Sequence, residues 1–325
     1  MEPGYIALYH SGELERRARR LEARLVSCDI CPRECRVNRL EGETGFCHSG
    51  SLPVVSSFCA HHGEEPVLSG SRGSGTIFFS NCNLRCVYCQ NYQISQDWQK
   101  QGSNEVDFRS LAEDMLYLQD ELGCHNINLV SPSHFVPQIV RALTEAVPMG
   151  LKLPLVYNTN SYDSIKTLEE LSGIISIYLP DLKYASDIYA SQFSEAPDYV
   201  ALSHQAIKEM YRQVGGIVVD KSGRAQRGLI VRHLILPNGL SGSRESLTWL
   251  AKEVSSRVAI SAMSQYHPVH QAYQFPLLSR SISLSEHQEV LKLMEELGLE
   301  EGWIQKMGAQ EDYLPDFERE GHPFL

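Results

Sequence analysis

Three cysteines, Cys82, Cys86 and Cys89, follow directly on a strand-like run, Gly75-Thr76-Ile77-Phe78-Phe79-Ser80. Their spacing, C-x3-C-x2-C, offers three thiolates to a centre that ordinarily takes four. Iron–sulfur clusters are normally held by four cysteines, so three from one loop imply a [4Fe–4S] cube with one iron left open. An open metal position separates a reactive site from a closed structural one. The competing readings are a zinc site and three unrelated core cysteines. Zinc would need a fourth ligand, and the next Cys or His after Cys89 is Cys124.

The chain has 325 residues, 42% of them hydrophobic and 21% charged, the balance of a soluble globular protein. Its formal net charge is −11. A phosphate-backbone binder shows a basic footprint, so no nucleic acid is expected as a partner. No apolar run approaches the roughly 18 residues of a membrane helix, and no membrane association is expected. The opening Met1-Glu2-Pro3-Gly4-Tyr5-Ile6 lacks the basic start and apolar segment of a secretory signal. Seven of nine cysteines fall into two tight groups. In a chain without a signal such grouping reads as metal ligation rather than disulfides. The expected location is cytoplasmic.

Residues 11 to 26 read as a helix through Leu14, Leu21 and Leu25, its arginines interleaved with glutamates as on a solvated face. Residues 27 to 74 are loop-rich. From residue 75 strand and helix alternate. Strands are expected at Thr76–Ser80, Asn126–Ser131, Leu153–Asn158, Ile174–Leu179, Leu229–Leu236 and Val258–Ser264. Helices are expected at Phe108–Leu122, Pro137–Ala146, Ser164–Leu171, Tyr199–Val214, Arg244–Ser256 and Glu286–Leu297, the last with Ser285 as cap and Gly298 as stop. Asp220-Lys221-Ser222-Gly223 reads as a turn, making Ile217–Asp220 a hairpin arm. Such alternation predicts an α/β fold built on a parallel sheet.

The triad, with Tyr88 just before its third cysteine, resembles the signature of the radical S-adenosylmethionine (radical SAM) superfamily. Glu64-Glu65-Pro66, Gly73-Ser74-Gly75-Thr76, Cys89-Gln90-Asn91 and Tyr178-Leu179-Pro180-Asp181-Leu182-Lys183-Tyr184 resemble a branch homologous to pyruvate formate-lyase activating enzymes. The resemblance implies a partial (β/α)6 TIM-like barrel over residues 75–305. A helix and cysteine-rich extension would occupy residues 1–74 and a tail residues 306–325. In such barrels the C-terminal strand ends carry the site, which sets the cysteine loop over the barrel mouth.

The resemblance further implies an oxygen-sensitive enzyme with a [4Fe–4S] cluster on Cys82, Cys86 and Cys89. S-adenosylmethionine would sit on the open iron, and a flavodoxin or ferredoxin would serve as electron donor. Tyr88 resembles the aromatic residue that lies against the adenine. Where the superfamily often has Gly-Gly-Glu, this chain has Ser131-Pro132-Ser133-His134, so Ser131 and Ser133 become candidate polar contacts. Asn158 is a candidate for the ribose hydroxyls, with Asn160 second to it. Asp181 and Lys183, in an Asp-Leu-Lys motif, and His267 resemble residues of the activating enzymes. Arg232 lies among apolar neighbours and requires a carboxylate partner, for which the SAM carboxylate or Asp181 would serve. For each of these four residues, a ligand-free structural network is the competing reading.

A second set, Cys28, Cys31, Cys35 and Cys47, is spaced C-x2-C-x3-C-x11-C and can close a structural zinc site or another iron–sulfur cluster. Cys59 could stand in for Cys47. The activating enzymes' comparable cysteine-rich inserts follow the radical SAM motif, whereas this set precedes it. Two substrate classes remain open, a glycyl-radical enzyme and a small molecule. The contrasting function is a non-catalytic metal-binding module.

Overall fold

The structure, a computed structural model, describes residues 2–308, 314–319 and 322–324. Residues 309–313, 320, 321 and 325 of the expected tail lie outside the described residues. One sheet contains β1 (Val55–His61), β2 (Ser74–Phe79), β3 (Ile127–Val130), β4 (Leu155–Thr159), β5 (Ile177–Pro180), β6 (Val218–Val219), β7 (Ala225–Leu234), β8 (Ala259–Met263) and β9 (Gly302–Ile304). Its order is β1-β2-β3-β4-β5-β7-β8-β9, with β6 attached to β7. Pairing is parallel from β2 through β9 along this order. Strand β1 is antiparallel to β2, and β6 is antiparallel to β7. Among the described residues β1 and β9 do not pair, so the sheet is open.

The six expected strands are β2, β3, β4, β5, β7 and β8, and the expected hairpin arm is β6. Two strands escaped the sequence reading. Strand β1 lies inside the segment read as loop-rich, and its mixed burial carries little alternation. Strand β9 has three residues, too few for a periodic signal. The helix expected over residues 11 to 26 is Glu13–Ala23, and a further helix that was not expected, Gly4–His10, precedes it across the left-handed Gly12 (φ 73°). The arginines of Glu13–Ala23 are only partly a solvated face: Arg17 donates to the carbonyls of Glu170 and Ser172, and Arg20 pairs with Glu170. The cap of the last helix, Leu284–Glu296, is Ser283 rather than Ser285. Ser283 and Glu286 form a reciprocal capping box that satisfies two otherwise unpaired amides. Gly298 ends the helix in the left-handed region, as expected.

Strands β2, β3, β4, β5 and β8 are buried along their whole length, as parallel strands covered on both faces should be. Successive side chains point to opposite faces, and the two faces have different fates. Leu155, Tyr157, Tyr178, Leu229, Val231 and Ile260 join the main core with the helices. Val156, Ile177, Ile230 and Ala259 form a separate inner cluster closed by Leu68. Two residues further along the inner face, the same strands present Asn158, Arg232 and Ser261. Beyond β5 the chain presents Asp181. All four line one cavity. Period-two geometry thus sets polar groups directly above an apolar floor.

Candidate metal and cofactor centre

The cavity, about 850 Å³, opens at the C-terminal ends of the parallel strands. Cys82, Cys86 and Cys89 all line it, on the loop leaving β2. Asn81, before the first cysteine, takes a left-handed φ of 67°, as does Ser131 after β3 at 57°. Non-glycine residues adopt this region at some cost, and here it turns the chain sharply over the strand ends.

Each sulfur of the triad has a polar neighbour. Leu84 N–H and Asn160 Nδ2 donate to Cys82 Sγ at 3.4 and 3.5 Å. Ser194 Oγ donates to Cys86 Sγ at 3.0 Å, and Ser95 Oγ lies 3.2 Å from Cys89 Sγ. Tyr88 Oη donates to Tyr184 Oη at 2.6 Å, and Tyr184 Oη lies 2.7 Å from Ser194 Oγ. A hydrogen-bonded chain therefore runs from Tyr88 to the Cys86 sulfur. Burial pushes Cys82 up to about 11 and Cys89 up to about 12, and raises Cys86 as well. Such thiols bind metal only by giving up their protons.

Among the described residues no three His, Cys, Asp or Glu side chains converge so as to hold one ion. A cubane does not demand this, because its thiolates bind separate irons. Three thiols from one loop, Cys82 and Cys86 buried and Cys89 half-buried, each beside a hydrogen-bonding group, fit such a cluster.

Of the expected contacts, Tyr88, Ser131, Asn158, Asp181, Lys183, Arg232 and His267 line the cavity with the cysteines. Ser133 does not. Its hydroxyl lies 3.0 Å from Thr159 Oγ1, in a buried network with Asp163. Burial holds the Asp163 carboxyl above its usual range.

Within the chain, Arg232 has the carboxylate partner its surroundings require in Glu64 and Glu65 rather than in Asp181. Its Nε donates to Glu65 Oε1, and its Nη2 to Glu65 Oε2 and to Glu64 Oε2. Burial alone would raise the Glu65 carboxyl, yet the Arg232 guanidinium holds it below the usual range. Asp181 instead accepts from Lys183 Nζ at 2.6 Å. Burial opposes the Lys183 charge, but Asp181, with Cys86, raises the ammonium above its ordinary value.

Glu64 and Glu65, Ser194 and Ser95 were not identified as site residues from sequence, and Asn160, the second candidate for the ribose hydroxyls, instead donates to Cys82 Sγ. Glu64-Glu65 stood only within a family-like motif. Ser194 comes from a remote segment, and Ser95, six residues after Cys89, has no spacing that marks it as a sulfur partner.

The cysteines of the second set surround a separate small cavity, which Arg39 and His134 also line. Cys59 is not among its lining residues; it lies on β1, paired with Thr76 of β2. Phe46 joins the two cysteine regions. Its N–H donates to Cys35 Sγ at 3.3 Å, and its carbonyl accepts from Arg85, which also donates to the Cys82 carbonyl at 2.8 Å.

No protein-family profile matches the chain. It is 28% identical over 282 residues to the uncharacterised protein MJ0674 of Methanocaldococcus jannaschii, covering 84% of this chain and 76% of that protein. It is 25% identical over 123 residues to MJ0808, an uncharacterised protein of the same organism, covering 34% and 35% respectively. Among solved structures it is similar to HydG, a maturase of the [FeFe]-hydrogenase, with a TM-score of 0.42 and 9% identity. That similarity covers 69% of this chain and 48% of the HydG chain, so the chain spans about half of that protein's length.

Proposed function

We propose that this protein is a radical SAM enzyme and that its open sheet is the incomplete barrel of that superfamily. One observation carries the reading: the C-x3-C-x2-C loop brings three thiols, two buried and one half-buried, each beside a polar neighbour, to a cavity at the ends of parallel strands. Cys82, Cys86 and Cys89 would hold a [4Fe–4S] cluster which, with S-adenosylmethionine and an electron from a flavodoxin or ferredoxin, would supply reductive cleavage of the sulfonium to a 5′-deoxyadenosyl radical able to take hydrogen from a substrate.

The protein's part is to hold and orient. Cys82, Cys86 and Cys89 supply the thiolates, and Tyr88 an aromatic face. Ser131 and Asn158 offer polar groups to the nucleoside. The ammonium of Lys183, kept charged by Asp181, suits the amino-acid carboxylate. Arg232 is occupied by two glutamates and orders the cavity wall, and His267 lines the same cavity.

Of the two target classes, a glycyl-radical enzyme and a small molecule, the tail favours the second. Phe324 stacks on His61 with ring centroids 4.1 Å apart, and both line the cavity. Phe317 packs edge-on against Phe78. This covering narrows access for a folded partner and suits a small substrate.

The test is anaerobic reconstitution, reduction and assay for 5′-deoxyadenosine. Product from the native chain and none from Cys82→Ala, Cys86→Ala or Cys89→Ala is expected. Full cleavage by any one of these variants would sink the proposal. Deuterium moving from a small-molecule candidate into 5′-deoxyadenosine would support the favoured target, and transfer only from a glycyl-radical protein would reverse it.

A further inference from the structure

We propose that Cys28, Cys31, Cys35 and Cys47 hold a second, thiolate-ligated metal centre, and that the buried guanidinium of Arg39 neutralises its negative charge. The four cysteines line one small cavity. The chain around them is wrapped tightly. Arg36 N–H donates to the Cys28 carbonyl and Cys28 N–H to the Val37 carbonyl, both at 2.9 Å. Glu34, Arg36 and His48 all take left-handed φ values, at 39°, 59° and 54°. A side chain at Gly45 would place its Cβ 2.6 Å from Cys35 Sγ, so only glycine lets that backbone approach the sulfur.

Arg39 supplies an independent sign. It is 1% exposed, yet among the described residues no carboxylate pairs with it. Nε and Nη2 donate to the Gly50 carbonyl at 2.9 and 2.6 Å, and Nη1 to the His134 carbonyl at 2.8 Å. Nη1 also lies 4.0 Å from Cys28 Sγ. Neutral carbonyls satisfy its protons but not its charge, and a buried unpaired charge is costly. The neighbouring Arg24 and Arg36 pair with Asp29, so carboxylates are within the segment's reach but are not used for Arg39. Four thiolates on an iron–sulfur cube, each on its own iron, leave a net negative charge, which is the partner Arg39 lacks.

His134 adds a third sign. Its Nε2 lies 3.0 Å from the Ser80 carbonyl and must carry the proton there, which leaves Nδ1 as a bare lone pair. That Nδ1 has no partner, although His134 is 1% exposed and lines the same cavity. An unpaired buried acceptor beside four thiols marks a polar site rather than a packed core.

The test uses the full chain with Cys82→Ser, Cys86→Ser and Cys89→Ser combined. This removes the proposed radical centre, so the outcome is separable from that reading. Metal and sulfide analysis should find about four irons with matching sulfide per chain. Adding Cys31→Ser should abolish it. Absence of iron from the folded triple variant would overturn the proposal. If that variant does not fold, the metal content of the native chain decides: iron beyond one cube supports the site, and a single cube alone refutes it. Arg39→Met should lose the metal to a chelator about 10- to 100-fold more readily, with Arg39→Lys closer to native. Native retention in Arg39→Met would refute the charge-neutralising role.

Discussion

Arg232 grips Glu65 with both arms of its guanidinium, Nε to Oε1 and Nη2 to Oε2, each at 2.8 Å. The pair joins the inner face of β7 to the segment before Leu68, which closes the cavity floor. Glu64 is held in the same network by Asn128 Nδ2 at 2.8 Å. The charge that looked exceptional within an apolar strand is therefore a clamp between the sheet and its floor. Arg232→Met should lower unfolding stability by about 3–5 kcal/mol, because it strands buried carboxylates. Adding Glu64→Gln and Glu65→Gln should recover part of that loss. Urea denaturation of the single and triple variants measures both, and an additive triple variant would contradict the coupling.

Ser194 Oγ donates to Cys86 Sγ at 3.0 Å at the end of the chain that begins at Tyr88. Hydrogen bonds to cluster sulfurs raise the reduction potential by stabilising the more negative reduced state. Ser194→Ala should therefore shift the midpoint of the reconstituted cluster to more negative values while leaving its iron content unchanged. Tyr88→Phe, which cuts the chain further away, should shift it less. A redox titration followed by electron paramagnetic resonance reads the shift, and an unmoved midpoint in Ser194→Ala would exclude the role.

Thiol burial predicts a pH dependence of the metal-free protein. Cys82 rises from 9.0 to about 11 and Cys89 from 9.0 to about 12 on folding. A group that holds its proton more tightly when folded contributes stability that is complete below the unfolded value. That stability is lost as pH climbs through the folded one. Under anaerobic, reducing conditions the Tm should fall between about pH 9 and about pH 12. The fall should be shallower in the variant combining Cys82→Ser, Cys86→Ser and Cys89→Ser. Equal slopes would show that other groups control the alkaline limb.

Gly302 lets β9 join the sheet. Its φ is 130°, and a Cβ there would lie 2.0 Å from the Ile260 carbonyl oxygen on β8. Gly302→Ala should therefore detach β9 and disturb Trp303 and Gln305, which line the cavity. Hydrogen exchange should rise locally at residues 302–305, with weaker S-adenosylmethionine binding and unchanged iron content. Native protection of those amides would show that the backbone adapts.

The six parallel strands were legible because each carries an apolar run bounded by breakers, and such runs specify local structure whatever they pack against. Cys82, Cys86 and Cys89 were legible because one short loop holds all three, so spacing alone declares a shared ligand. Strand β9 and the mixed pattern of β1 left no comparable trace.

Long-range pairing was beyond the reach of spacing. That Arg232 needed a carboxylate followed from the cost of burying a charge, a property of the residue and its immediate neighbours. That Glu64 and Glu65 answer it, rather than Asp181, depended on which segment crosses beneath the sheet. Likewise Asn160 and Ser194 reach the Cys82 and Cys86 sulfurs only because separate loops meet above the strand ends. The sequence by itself determined the alternation of strands and helices and the thiol triad, since both rest on neighbours along the chain. Only the tertiary structure decided the partners of Arg232 and of the Cys82 and Cys86 sulfurs from other segments, because those contacts join residues far apart in sequence that no local periodicity can link.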